Sequence, residues 1–405
     1  MRNNVLYSDI RYRITITKGG IILKNLDLPV VKFTSEQNEF RQKVRQFLVS
    51  ECDAGTFKTH ADSWMSGYSY EVSKKLGSQG WIGMTWPKEY GGQERSAIDR
   101  YIVTEELLAI GAPVAAHWFA DRQSGPLFLK FGTDEQKSYF LPRIAKGECY
   151  FSIGLSEPNS GSDLASIQTR AEKVEGGWLI NGMKTWTSGA HHSHYMITLC
   201  RTSPKDEKNR HGGMSQFVID LNAEGITIQP IQFLTGEHHF NEVFLDNVFV
   251  PDNRVVGEIG NGWDQGMAEL AYERSGPERI LSTFPLLQEA VEYLKEQNDV
   301  YGLAQALQLV SRMWSLRNMS IGVAQMLEEG EDVSLAASLV KDLGTKLEQA
   351  VAETVRLLVD TKPSVTSERL IDRLMAESVL HGPGFTLRGG TTEILRGIVA
   401  KGVLV

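Results

Sequence analysis

Residues 154–163 read Gly-Leu-Ser-Glu-Pro-Asn-Ser-Gly-Ser-Asp, and residues 182–188 read Gly-Met-Lys-Thr-Trp-Thr-Ser. Glycines and short hydroxyl side chains let backbone N–H groups come close to a polar or anionic ligand. An aromatic residue followed by two hydroxyl residues, as at Trp186, suits contact with a flat ring that needs hydrogen bonds at its edge. The two stretches together predict a site for a flat, polar cofactor.

The composition of the chain excludes several classes of protein. The 405 residues exceed the ~250–300 at which a single core stops growing, so two or three structural units are expected. Net charge is −8 and the basic residues are scattered, which argues against a nucleic-acid or anionic-membrane surface. The three cysteines, Cys52, Cys149 and Cys200, show no disulfide or metal-type spacing. No apolar run approaches the ~20 residues of a membrane span and no leader is evident, so we expect a cytoplasmic protein.

Apolar periodicity divides the chain into three units. The spacing is helical over residues 31–148, strand-like over residues 149–256, and helical again over residues 257–405. Polar joints near residues 296–299 and 328–332 break the last unit, as in a helical bundle. The pattern therefore predicts a helical domain, a small β domain and a second helical domain.

Local signals place some of the elements. The first helix shows helical apolar spacing, with Ser35 as its expected N-terminal cap; its apolar residues are Phe40, Val44, Phe47 and Leu48. Gly176-Gly177 is the expected turn of a hairpin.

Residues 1–30 do not fit the first helical unit. They are either an extra N-terminal arm or the product of a misassigned start, with Leu23 as the true first residue. Alternating apolar residues, from Ile10 to Ile16, favour a genuine strand-like arm. Both interpretations stay open at this point.

Four stretches in order resemble one family. The run from Ser156 to Asp163 is joined by residues 241–251, by Gly-Asn-Gly-Trp at 260–263, and by Gly-Thr-Thr-Glu-Ile-Leu-Arg at 390–396. From about residue 33 onward the chain resembles the acyl-CoA dehydrogenases. The resemblance implies a multi-domain α and β fold with a helical N-terminal domain, a middle β-barrel-like domain and a C-terminal four-helix bundle. It also implies FAD as cofactor and α,β-dehydrogenation of an acyl-CoA to a 2-enoyl-CoA.

The resemblance assigns the flavin positions. Similarity places the loop around Ser156 along the flavin, Trp186 against its ring, and the tail after Gly390 beside it. The alternatives are a polar turn between domains, an ordinary core tryptophan and a simple C-terminal turn. The implied cofactor-binding residues are Ile153, Leu155, Ser156, Gly161, Ser162, Trp186, Thr187, Ser188, Thr391 and Glu393.

The position of the catalytic base departs from the commonest family pattern. The reaction needs a carboxylate that removes the α-proton while the β-hydrogen leaves as hydride to flavin N5. Many members carry that glutamate where this chain has Gly389. Members acting on branched substrates carry it on the first C-terminal helix before an arginine, which corresponds to Glu273 and Arg274. We therefore expect Glu273 to be the base, and Arg274 and Ser162 to bind the substrate on its CoA side.

Gly389 keeps a second expected role. In the family the backbone N–H at this position helps to bind the thioester oxygen, and a glycine retains that N–H. The missing side chain is also expected to leave space, which favours a branched, cyclic or bulky acyl group.

The histidines at 191, 192, 194, 238 and 239 are not expected to bind a metal, since no cysteine or carboxylate set completes a site in the sequence. Elements that contact the flavin of a neighbouring subunit in the family are absent; residues 299–302 read Asp-Val-Tyr-Gly instead. A homo-oligomer, either dimer or tetramer, or a hetero-oligomer with a related chain is expected, with an electron-transfer flavoprotein as acceptor. A non-catalytic partner subunit and a flavin oxidase or monooxygenase remain as alternatives.

Overall fold

A computed structural model describes residues 28–206, 208–271 and 276–403. The expected N-terminal arm or misassigned start lies outside this range, apart from residues 28–30. Leu28 packs beside an apolar cluster formed by the C-terminal helices, and the carbonyl of Pro29 faces Gly322. The chain thus joins the rest of the fold before the first helix.

The N-terminal region is helical, as the periodicity predicts. Phe40, Val44 and Leu48 are buried on one face of the first helix. The cap is Thr34 rather than Ser35: its hydroxyl accepts from the N–H of Gln37 at 3.1 Å, and the Gln37 side chain accepts from the N–H of Thr34. The helices are α1 Ser35–Asp53, α2 Ser63–Ser66, α3 Tyr70–Ser78, α4 Ala97–Ala109, α5 Ala115–Phe119, α6 Gly125–Phe131 and α7 Asp134–Ala145.

The middle region is an eight-stranded sheet in the order β6-β7-β3-β2-β4-β5-β8, with β1 parallel to β4. Gly176 adopts a φ of +74° and closes the β2–β3 hairpin, so the predicted turn is confirmed. Trp178, Phe217 and Val243 belong to the core under the sheet. The strands are β1 Phe151–Gly154, β2 Arg170–Val174, β3 Gly177–Ser188, β4 Tyr195–Arg201, β5 Met214–Asp220, β6 Ile226–Ile231, β7 Phe240–Pro251 and β8 Val255–Val256.

The C-terminal region returns to helices, and the two predicted polar joints separate α9 from α10 and α10 from α11. A buried 3₁₀ turn, Pro277–Arg279, precedes the bundle. The helices are α8 Gly262–Ala271, α9 Phe284–Glu296, α10 Val300–Glu328, α11 Ser334–Leu358, α12 Leu370–Phe385 and α13 Thr392–Val403. Within the described residues, no helix is both long and apolar enough to cross a membrane.

One large core joins the two helical regions, with members from Phe40 in α1 to Met375 in α12. The loop between β6 and β7 reaches α12, where the ring of Phe233 lies 5.9 Å from that of His381. The three regions therefore meet near the C-terminal end of α12. The candidate site is built at this junction.

Candidate active site

Glu157 fixes the loop that carries the first sequence motif. Its carboxylate accepts hydrogen bonds from the N–H groups of Gln168 at 2.6 Å and Thr169 at 3.0 Å. The buried ammonium of Lys184, on β3, donates to the same carboxylate at 2.8 Å. Burial alone would raise the pKa of Glu157, but the Lys184 charge and these bonds hold the pKa below its usual value. The motif's glutamate is thus a buried anchor of the loop.

The anchored loop presents its small residues outward. Gly161 and Ser162 are exposed, and Ser156 is half-buried, as are Ile153 and Leu155. A Cβ added to Gly161 would meet no protein atom within 4 Å, so packing within the chain does not require glycine there. Hydroxyls and backbone amides are therefore accessible, as contact with a polar ligand needs.

Trp186 is held at the surface by the backbone of β3. The strand register shifts between Lys184 and Thr187, and Trp186 has a φ of +58°, a left-handed conformation rare for a bulky residue. The residue is 56 % exposed, and its ring meets that of Phe240 edge-on, with ring centroids 5.8 Å apart. The interpretation of Trp186 as a core aromatic is wrong. A strained, exposed indole is suited to covering a flat ring.

The two hydroxyl residues after Trp186 differ in exposure. Ser188 is half-buried and ends β3. Thr187 is fully buried, and its hydroxyl has no hydrogen-bond partner among the described residues. Its carbonyl accepts from Asn241 Nδ2 at 3.1 Å. Of the two, Ser188 is the hydroxyl that lies open to a ligand.

The tail after α12 forms a tight turn. Gly389 and Gly390 adopt φ values of +64° and +93°, which favour glycine. The buried ammonium of Lys341 donates to the carbonyl of Gly390 at 2.7 Å. Thr391 is half-buried at the start of α13, and Glu393 is exposed in its first turn.

Arg279 occupies the space beside Gly389. A Cβ on Gly389 would lie 2.7 Å from Nη2 of Arg279, and the arginine is fully buried. Its guanidinium lies 4.9 Å from the ring centre of Trp64, and that of Arg388 lies 4.5 Å from the same centre. The expectation that the missing side chain leaves open space is therefore wrong. A cation stands where the family's commonest base would begin.

Asp62 links the tail to the N-terminal region. Both of its oxygens accept from Arg388 at 2.7 Å, and His381 Nδ1 lies 3.2 Å from Oδ2. Burial would raise the pKa of Asp62, but the Arg388 and His381 contacts bring it well below its usual range.

Glu348 is a second buried carboxyl in the same network. The N–H of Ser282 donates to its Oε1 at 2.9 Å, and the Ser282 hydroxyl lies 3.4 Å from Arg388 Nη2. Burial raises the pKa of Glu348 to about 7, although the charge of Arg388 opposes the shift.

No signal in the sequence marks these residues as part of one site. Asp62, Ser282, Glu348 and Arg388 are far apart in the chain and belong to no shared motif. Arg279 follows Glu278 in a dipeptide that resembles any exposed helical pair, yet both residues are buried. Only the fold brings them together.

Glu273 and Arg274 lie outside the described residues. They fall between Ala271, the last residue of α8, and the turn that carries Arg279. Their roles as base and CoA-binding cation stay predictions.

The structure brings the first two motifs together directly, since the N–H of Thr185 donates to the carbonyl of Ser156 at 2.9 Å. The tail approaches through Arg388, Asp62 and α12. A hydroxyl-rich loop, an exposed indole and a glycine turn between helical regions are features that suit a flavoprotein of the thioester-oxidising class. Family models agree: the acyl-CoA dehydrogenase N-terminal domain matches residues 34–148, and the middle domain matches residues 152–248.

The chain belongs to the acyl-CoA dehydrogenase family. It is 29 % identical to acyl-CoA dehydrogenase FadE26 of Mycobacterium tuberculosis, over 91 % of this chain and 96 % of the relative. It is 31 % identical to acyl-CoA dehydrogenase IpdE1 of Mycolicibacterium smegmatis, over 91 % of this chain and 97 % of the relative. Among solved structures, the Tcur3481-Tcur3483 steroid ACAD superposes with a TM-score of 0.82 at 28 % sequence identity. The match covers 91 % of this chain and 97 % of that one. The ChsE4-ChsE5 complex from Mycobacterium tuberculosis superposes with a TM-score of 0.80 at 28 % sequence identity, and the match covers 92 % of this chain and 98 % of that one.

Members of this family are oxidoreductases that depend on FAD. The residues present fit that cofactor in kind. The exposed Trp186 offers a face for a flat ring, and Ser156, Ser162 and Ser188 offer hydroxyls along an accessible edge. The fold and the family together make this chain an acyl-CoA dehydrogenase.

Proposed function

We propose that the chain catalyses FAD-dependent α,β-dehydrogenation of an acyl-CoA with a branched, cyclic or otherwise bulky acyl group. The observation that carries the proposal is Trp186, held exposed in a left-handed conformation next to the loop anchored by Glu157. Strained backbone conformations cluster at ligand-binding sites, so an exposed aromatic residue in such a conformation is a candidate ligand contact. The described contacts within the chain give Trp186 no comparable structural task.

FAD would be held along the anchored loop and the end of β3. Ile153, Leu155, Ser156, Gly161 and Ser162 would line one side. Trp186 would cover the ring, Ser188 would donate to its edge, and Thr187 would contribute through its backbone. Thr391 and Glu393 would approach from the start of α13. When bound, FAD supplies the hydride acceptor for the β-carbon of the thioester.

Glu273 is the proposed base. The tail position cannot supply one, because residue 389 is glycine and the guanidinium of Arg279 fills the adjacent space. Glu273 lies six positions before Arg279 in the chain. A carboxylate shielded from water by an acyl chain has a raised pKa, which brings it closer to that of an effective general base.

The thioester oxygen is proposed to accept from the N–H of Gly389. The hydrogen bond from Lys341 to the carbonyl of Gly390 holds the left-handed turn at Gly389 and Gly390, so the direction of this amide is set before substrate binds. Preorganised donors of this kind stabilise the negative charge that develops on the oxygen when the α-proton leaves. Arg274 and Ser162 would contact the CoA portion.

Support for a bulky acyl group comes from the relatives rather than from Gly389. One similar solved structure, that of Tcur3481-Tcur3483, is a steroid ACAD. The same structure and the ChsE4-ChsE5 complex each pair two different chains. We propose a hetero-oligomer with a related chain as the assembly here, with electrons passing to an electron-transfer flavoprotein.

A second candidate function is a partner subunit that binds without catalysing. It is favoured by the buried Arg279, which places a cation at the tail position where the family's commonest base would stand. The two functions differ in whether the protein's own flavin is reduced by a thioester.

Anaerobic mixing of the flavin-loaded protein with linear, branched and polycyclic acyl-CoAs separates them. The dehydrogenase proposal predicts bleaching of the flavin absorbance, fastest with a bulky acyl group. Flavin that stays oxidised with every thioester would favour the partner subunit. Equal rates for butyryl-CoA and the bulky thioesters would overturn the substrate class alone.

A further inference from the structure

Three potential metal ligands from two regions of the molecule converge near α12. Glu237 and His239 lie in the loop between β6 and β7, and His381 lies in α12. One donor atom from each side chain falls within 4.8 Å of the others. His381 is more than a hundred positions further along the chain than the two loop residues, so the sequence does not show that it lies near them.

The distances approach those of a coordination polyhedron. Oε2 of Glu237 lies 3.2 Å from Nε2 of His239 and 4.0 Å from Nε2 of His381. Tetrahedral zinc with bonds of about 2.0–2.1 Å holds its donor atoms roughly 3.3–3.4 Å apart. Of the three edges, the one between Glu237 and His239 already has that length, and the one between Glu237 and His381 needs a shift of roughly 0.6 Å in an exposed glutamate. The third edge, between the two histidines, is within 4.8 Å.

Contacts on the Nδ1 side of the His381 ring orient its Nε2 atom as a metal ligand. Its side chain is 2 % exposed, and Nδ1 lies 3.2 Å from Asp62, whose carboxylate is fixed by two bonds from Arg388. A proton on Nδ1 shared with Asp62 leaves the lone pair on Nε2 facing Glu237. Ligating histidines usually have such a carboxylate behind them, since it fixes the ring and its tautomer.

The Nε2 atom of His381 has no other use among the described residues. It is buried without a hydrogen-bond partner there, and 4.0 Å to Glu237 is too long for a hydrogen bond. A buried polar atom left in this way is costly unless something binds it. An ion between the three side chains would satisfy it.

We propose that Glu237, His239 and His381 bind a divalent transition-metal ion, with zinc as the ion that suits two imidazoles and a carboxylate. Water would complete the four ligands on the side where Glu237 is 52 % exposed. The ion ties the β6–β7 loop of the sheet to α12. It thereby fixes Phe233, which packs on Phe240 under Trp186.

The test uses the untagged, flavin-loaded protein. After dialysis against a chelator and then against zinc, elemental analysis should find one zinc per chain, and the protein should melt at a higher temperature than in chelator. Cobalt in place of zinc should give the visible absorption of a four-coordinate nitrogen and oxygen site.

Three variants separate this site from chance binding. His239→Gln and Glu237→Gln should each lose the zinc, the melting shift and the cobalt spectrum. His238→Gln removes a neighbouring imidazole that contacts His191 instead, and it should keep all three. Zinc content near zero in the native protein, or an equal content in His239→Gln and His238→Gln, would overturn the proposal. The metal readouts do not depend on dehydrogenase activity, so they stand apart from the proposed function.

Discussion

Individual residues of one sequence motif in this protein differ in how deeply they are buried. Glu157 lies among Ser156, Gly161 and Ser162 in the sequence, yet it is buried against Lys184 while Ser156 is half-buried and the other two are exposed. The motif therefore combines an anchor with the surface that it supports. Changes at the two kinds of position should have different consequences.

Glu157→Gln should destabilise the protein. It leaves the ammonium of Lys184 buried without its carboxylate, and breaking a buried pair from one side costs about 3–5 kcal/mol. Urea unfolding measures the loss. Asp163→Asn is the matched control, because the pair of Asp163 with Arg210 is exposed and should contribute little to stability. Equal stability of Glu157→Gln and the native protein would contradict the anchor role.

Trp186→Gly should separate folding from cofactor binding. Glycine relieves the left-handed strain at φ +58° but gains freedom in the unfolded chain, so the flavin-free protein should stay within about 1 kcal/mol of native stability. Flavin retention should fall sharply, since the ring loses its aromatic cover. Full flavin occupancy after gel filtration would rule out this role for Trp186.

Glu348 gives the molecule a pH dependence of stability. Its pKa is about 7 in the folded protein because of burial, above the usual value near 4.5. Between these values the folded state binds more protons than the unfolded state, so stability falls as pH rises through this window.

Glu348→Gln should remove this dependence. Its stability relative to the native protein should rise between about pH 5 and pH 8, by up to about 3 kcal/mol. Urea unfolding at both pH values provides the measurement. A difference between the two proteins that does not change with pH would show that Glu348 titrates normally.

At the scale of elements, the turn between α12 and α13 does several tasks with two glycines. It leaves room for Arg279 and leads into α13. The sequence marked this turn through Gly389 and Gly390, but not the arginine that fills the space beside it. The contact between position 389 and Arg279 involves a segment more than a hundred positions earlier in the chain, so no local pattern indicates it.

Gly389→Ala should lower stability by about 1–3 kcal/mol, because the new Cβ needs a strained φ and lies 2.7 Å from Arg279. Gly382→Ala in α12 is the control; its Cβ meets nothing within 4 Å, so stability should hold or rise slightly. Chemical unfolding of both variants decides the matter. A Gly389→Ala protein as stable as Gly382→Ala would mean that the turn relaxes freely.

Local patterns predicted the elements well where one residue type decides the conformation. The apolar face of α1, the hairpin at Gly176 and the polar joints of the bundle all follow from short-range signals. The cap of α1 was displaced by one residue, because Thr34 and Ser35 are both good caps and the reciprocal bond of Gln37 selects Thr34. Where two neighbouring residues are equally good caps, the hydrogen bonds of the folded helix decide which of them is the cap.

At the scale of the whole molecule, the site depends on contacts that no local pattern encodes. Asp62 connects α12 and the tail to the N-terminal region, and His381 faces a loop of the sheet. Apolar periodicity predicted the order of the three regions, and resemblance to the family supplied the proposed flavin-binding positions. The buried network beside Gly389 follows only from how the three regions pack.

Glu273 is the proposed base that removes the α-proton. In single-turnover mixing with a thioester that bleaches the native flavin, Glu273→Gln should keep its flavin and still bind the thioester. It should reduce the rate of bleaching by at least ~10²–10⁴, the usual contribution of a general base. Glu258→Gln, an exposed change before α8, should bleach at the native rate. Native-rate bleaching in Glu273→Gln would contradict the account and move the base to another residue.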